Sequence, residues 1–140
     1  GRFLDRRGVR QGLLLESVSV AAVFLYAAWA VHGVTSGALS GYAAMAAAFL
    51  AYILIFMTDH FNAVHTMLMR SLSESPADVM ENLSFGLSID HILAVTVSGL
   101  LGTVWKLSGP QWVFVLGAAV CAVDLAVALW LKRTETAPAK

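Results

Sequence analysis

The stretch from Tyr42 to Arg70 reads YAAMAAAFLAYILIFMTDHFNAVHTMLMR, apolar in its first half and carrying Thr58, Asp59, His60, Asn62, His65 and Thr66 in its second. At 1.5 Å per residue a helix of this length exceeds the roughly 30 Å hydrocarbon core of a bilayer. The segment predicts a membrane-spanning helix with polar groups inside it. At 100° per residue, Thr58, Asp59, Asn62, His65 and Thr66 share one side, while Phe56, Ala63 and Met67 lie elsewhere. An ionisable group inside hydrocarbon costs at least about 2.5 kcal/mol on the most lenient scale, so this face is expected to meet a protein interior or a water-filled path. In the plainer alternative, Asp59 reaches water near the membrane boundary and only ties neighbouring helices together.

The rest of the chain has the same character. Its 140 residues are 59% hydrophobic and 13% charged with a mean hydropathy of +0.75, against about 25% charged in soluble domains. The fold class expected is an all-α polytopic membrane protein. Nine basic and nine acidic residues cancel, so the net charge gives no reason to expect a nucleic acid. The single cysteine, Cys121, has no partner for an intrachain disulfide and sits in an apolar run, as packing.

Upstream of the Tyr42 helix, residues 12–33 form another apolar segment, joined to it by the short, uncharged VHGVTSGALSG turn. Downstream, SLSESPADVMENLS has no apolar run and must lie outside the hydrocarbon. Ser75, Pro76 and Asp78 resemble an N-cap, a first-turn proline and an acidic third position, which predicts a helix start there. That helix continues into a third span at about 85–105, where Gly86, Gly99 and Gly102 offer small surfaces for close packing. KLSGPQ makes the next turn, and the fourth span covers 112–131 before Lys132 and Arg133. Residues 134–140 are expected to be a cytoplasmic tail.

Four spans place Arg2, Arg6, Arg7, Arg10, Arg70, Lys132, Arg133 and Lys140 on one side and Lys106 alone on the other. By the positive-inside rule the first side is cytoplasmic, so the carboxyl terminus is inside and the setting is a cell inner membrane. Trp29, Trp105 and Trp112 then gather at the outer interface and Trp130 at the inner one.

Three acidic residues fall within these spans besides Asp59. Asp90 and His91 lie a turn or so inside the third span; they can join Asp59 and His65 in a proton relay, or Asp90 can meet the dipole of its own helix while His91 makes a packing hydrogen bond. Glu16 is expected to form an interface salt bridge, with Arg10 or with an arginine from a neighbouring loop. Asp124 lies too deep for Lys132 to reach it simply and should be protonated or paired within the bundle, in a stabilising or oligomer-contact role.

The first residues, GRFLDRRGVR, set Gly1, Asp5, Arg6, Gly8 and Arg10 in the pattern G-x-x-x-D-R-x-G-x-R. Glycines permit a tight turn between helices, Asp5 can cap a helix N-terminus, and the arginines can pair acids or hold the inner interface. A merely topogenic loop over residues 1–11 would need the arginines but not the Asp and glycine spacing. The pattern resembles motif A of the major facilitator superfamily of secondary transporters. Val9 departs from the basic residue common at that point.

The resemblance extends over nearly the whole chain: LSFGLSIDHILAV and LLGTVWKLSGPQWVFVLGAA are similar to the tenth-to-twelfth region of bacterial members. It implies that the spans are helices nine to twelve of such a bundle, a fragment cut from a longer protein, as the charged start without Met also suggests. Helix ten would line the central cavity, with Asp59, Asn62 and His65 toward the pathway, helix eleven would pack beside it, and nine and twelve would be peripheral. Asp5 and Arg6 would carry gating.

The function so implied is solute transport by alternating access, with proton coupling through an acid such as Asp59. The expected partners are a small-molecule substrate, the lipid bilayer and the remaining N-terminal helices of the same transporter, with no cofactor. Two other readings stand beside it: a haem-binding anchor subunit using His65 and His91, and a small exporter working as a dimer of four-helix chains. No phosphate-binding glycine loop, H-E-x-x-H cluster or soluble carboxylate pair points to an enzyme.

Overall fold

The computed structural model describes residues 2–58, 66, 69–70 and 73–130, with side chains from residue 10 onward. The architecture is all-helical: α1 (Arg2–Thr35), α2 (Gly41–Thr58), α3 (Pro76–Ser108) and α4 (Gln111–Trp130). All four are long and apolar enough to cross a membrane, and the chain is a membrane-embedded protein.

α1 has 34 residues and so extends about 51 Å, some 20 Å more than the hydrocarbon core. Among the described side chains, Arg10–Thr35 is apolar enough to span. This corrects the expected loop over 1–11: from Arg2 onward those residues are the first turns of α1. Leu4, Arg6, Arg7, Arg10 and Gln11 are good helix formers, and one interior glycine at Gly8 costs only about 1 kcal/mol. The chain therefore does not turn at Gly8, and Asp5 lies inside the helix instead of capping its start.

α1 ends where the sequence predicts the turn. Gly37 adopts φ 78°, and the Leu39 amide donates to the Gly33 carbonyl at 2.8 Å, which folds the chain back toward α2. At α3 the predicted cap is present in full. Ser75 is the N-cap, its hydroxyl accepting from the Asp78 amide at 3.3 Å while its own amide donates to Asp78 Oδ2 at 2.9 Å. Gly109, at φ 102°, closes α3 with its amide donating to the Trp105 carbonyl at 3.1 Å, and α4 follows at once.

The helices pack in the order α2, α1, α4, α3: α1 lies along α4, α2 leans on α1, and α3 touches α4 more lightly. The contact surfaces are made of small residues. Ala27, Ala28 and Ala30 of α1, Ala47 and Ala51 of α2, and Cys121 and Ala128 of α4 are buried, as expected where association depends on close backbone approach and not on expulsion of water. The Tyr26 hydroxyl adds a bond to the Ala47 carbonyl at 3.4 Å.

The tight glycine contact between two of these helices lies outside the expected set. A Cβ at Gly117 would lie 3.1 Å from the Phe24 ring of α1, whereas Gly86, Gly99 and Gly102 have nothing within 4 Å. Among the described residues α3 has no buried side chain, and its three glycines meet no described side chain closely.

Gly117→Leu should overpack the α1–α4 seam and destabilise by about 1–3 kcal/mol, read as a lower thermal midpoint in detergent. Gly99→Leu, facing open space, should change the midpoint by less than about 0.5 kcal/mol equivalent. Ser75→Ala should remove about 1 kcal/mol of capping, seen as roughly fivefold faster hydrogen exchange at the Asp78 and Val79 amides.

Candidate functional site

Asn82, Gly86 and Asp90 stand at successive i, i+4 positions on α3 and so line one face of it. That face borders a recess of about 510 Å³ whose opposite wall includes Thr66, the described member of the polar face expected on the Tyr42 helix. Thr66 also borders a second recess of about 530 Å³, shared with Arg70, Glu74 and Ser75 where α3 begins. Together they form a track from the charged start of α3 to Asp90, its polar groups set among Met69, Val79, Leu83 and Leu87, with Thr66 as common wall. Asp59, Asn62 and His65 lie outside the described residues.

The capping box fixes the start of α3 at Pro76, and Asp90 follows fourteen residues on, about 21 Å along the axis. That distance corrects the dipole reading of Asp90. Helix-end electrostatics fade within the first turn, and it is Asp78 that occupies the first turn of α3. His91 is exposed on the adjoining side of α3 and lines neither recess. Asp90 is thus brought to the Thr66 wall and His91 is not. Ser88, on the His91 side, donates its hydroxyl back to the Ser84 carbonyl at 2.9 Å.

Of the amino-terminal motif, Gly1 lies outside the described residues, and Asp5, Arg6 and Gly8 belong to the helical backbone of α1. Arg10 closes the motif with a buried Nε that finds no hydrogen-bond acceptor. Arg10 and Glu16 form no ion pair with each other, and the interaction Glu16 does make lies elsewhere; an arginine of a neighbouring loop is the other expected partner. Six residues along a helix turn two side chains about 120° apart, beyond the reach that i, i+4 neighbours enjoy. Glu16 lines a recess with Asp124 of α4, a juxtaposition that sequence reasoning missed. The available signal was depth: Glu16 follows Arg10 by six residues and Asp124 precedes Trp130 by six, which levels them on antiparallel neighbours.

At the opposite end of the bundle, a recess of about 470 Å³ between α1, α2 and α4 is bordered by Ala27, Ala51, Trp105 and Phe114 and offers little but apolar surface. Among the described residues no three His, Cys, Asp or Glu side chains converge on a metal position. The α3 track is therefore the candidate site, where a carboxylate, a carboxamide and a hydroxyl can bind a polar solute group or hold a proton. Compared with known proteins, the chain matches no family model, no curated protein and no solved structure.

Proposed function

We propose that this chain is the carboxyl-terminal part of a secondary active transporter of the major facilitator type, moving a small solute across a cell inner membrane by alternating access. The observation that carries the reading is α3: a 33-residue helix long enough to span the membrane, without one buried side chain. It bears Asp90 on a recess shared with Thr66. An intramembrane carboxylate beside an open recess is how a solute or proton path is built. A helix whose glycines meet nothing close among the described residues fits an assembly completed by further helices.

The packing order supports the same assignment. α1 and α4, which the resemblance places at the periphery as helices nine and twelve, pack on each other and leave sides of α2 and α3 uncovered. Helices ten and eleven would then face the missing domain, with Asp59, Asn62, His65 and Asp90 along the path and Asp5, Arg6 and Arg10 at the cytoplasmic gate. Coupling would be carried by Asp59, with the carboxyl terminus cytoplasmic.

In the full reading frame expressed in vesicles with an imposed proton gradient, uptake and efflux are assayed over a panel of sugars, amino acids, organic acids and lipophilic cations. Asp59→Asn should reduce gradient-driven movement of the accepted solute to background while the protein still inserts. A haem absorbance band in the purified protein, lost on His65→Ala and on His91→Ala, would replace the transporter reading with the redox-anchor one.

A further inference from the structure

The first helix is longer than the membrane needs. Arg10–Thr35 has 26 residues, or about 39 Å of helix against a hydrocarbon core of roughly 30 Å, and residues 2–9 continue the same helix for about 12 Å more. That continuation is strongly basic. Arg2, Arg6 and Arg10 stand at i, i+4 and i+8 of α1, and Arg7 stands three residues before Arg10, so the four arginines fall on one side of the helix. Asp5, three residues after Arg2, is the one acid among the first fifteen residues. Like charges at this spacing repel one another along a helix, so the stripe gains from an anion laid against it. A cluster that served only to orient the chain would need its charges on one side of the membrane, not on one side of a helix.

Depth points to the source of the anion. Glu16 of α1 and Asp124 of α4 border one recess and are therefore level with each other. Arg10 lies six residues outward from Glu16, and Trp130 lies six outward from Asp124, about 9 Å in each case, so Arg10 and Trp130 are level too. Trp130 is 85% exposed at the end of α4, and an exposed indole at the end of a span takes the boundary between hydrocarbon and headgroups. Arg10 thus stands at headgroup depth. Arg7 and Arg6 are about 4.5 and 6 Å farther out along the axis, and Arg2 about 12 Å.

The described protein supplies no acceptor there. Arg10 is partly buried, and its buried Nε has no hydrogen-bond partner. Arg70, by contrast, borders a recess together with Glu74. A guanidinium is a planar fork that takes two phosphate oxygens at once. Arginines one turn apart on a helix stand close enough for one headgroup to meet two of them.

We propose that the Arg2–Arg6–Arg10 stripe of α1, with Arg7, binds the headgroup phosphate of an anionic phospholipid in the adjoining leaflet. Charge complementarity selects an anionic lipid over a zwitterionic one, and the level of Arg10 selects a lipid over an ion from solution. The inference does not rest on the transporter reading, since it needs only the membrane that the four spans require.

The 140-residue chain in mild detergent is titrated with phosphatidylglycerol and with phosphatidylcholine of the same acyl chains, and bound lipid is counted by native mass spectrometry. Phosphatidylglycerol should bind at least about tenfold more tightly. Arg6→Gln and Arg10→Gln should each weaken its binding about fivefold, and Arg2→Gln, more than a Debye length beyond Arg10, about twofold or less. Lys106→Gln, in the last turn of α3, should leave the preference intact, and far-ultraviolet dichroism checks that the variants remain helical. Equal affinity of the wild type for the two lipids overturns the proposal, even should the arginine variants fail to fold. A preference that survives in the Arg6→Gln/Arg10→Gln double variant overturns it as well. So does displacement of phosphatidylglycerol by an equal concentration of inorganic phosphate, which would make the stripe a site for the free ion.

Discussion

Hydrocarbon offers no hydrogen bonds, so each polar group within a span must be satisfied by the protein or by water the protein admits. The arrangement of this chain follows from that constraint. Backbone groups are paired within four long helices, and span hydroxyls such as Thr96 and Ser98 bond back to their own helix. Large apolar side chains such as Phe49, Phe85 and Trp130 point outward. With no hydrophobic gain available between helices, the seams are built from alanine, glycine and cysteine, where short side chains let backbones approach.

What the sequence made legible is what local chemistry determines. Spans were readable from apolar length, and the start of α3 from Ser75, Pro76 and Asp78, because a capping box depends on residues three apart and on nothing distant. The turn at Gly109 and Pro110 was readable for the same reason. The path of α1 through Gly8 was not, since glycine permits a turn without requiring one and the flanking arginines and leucine favour continued helix.

Long-range packing was less legible still. Gly86, Gly99, Gly102 and Gly117 are equivalent as small residues, and only the choice of neighbour makes Gly117 the tight one, against Phe24. The candidate site divides along the same line. Asp90 was visible as an acid within a span, but its position against Thr66 and the separation of His91 depend on where α3 begins and what lies opposite. Glu16 and Asp124 were each visible and were read apart, because nothing local to either says that α1 and α4 are neighbours.

Helix pairing also makes the bundle asymmetric along its axis. α1 begins and α4 ends at one end, where Glu16 and Asp124 share a recess, and α3 starts there, after Glu74, with Asp78 and Glu81 before reaching Asp90. The far end carries the alanine seam, Trp105, Phe114 and an apolar recess. The intramembrane carboxylates are therefore concentrated toward one end of the bundle, and the recess at the other end is walled almost wholly by apolar side chains. Glu16 and Asp124 line a recess between α1 and α4, the two helices that pack most extensively, so the polar groups of this end are set on the seam that keeps the bundle together.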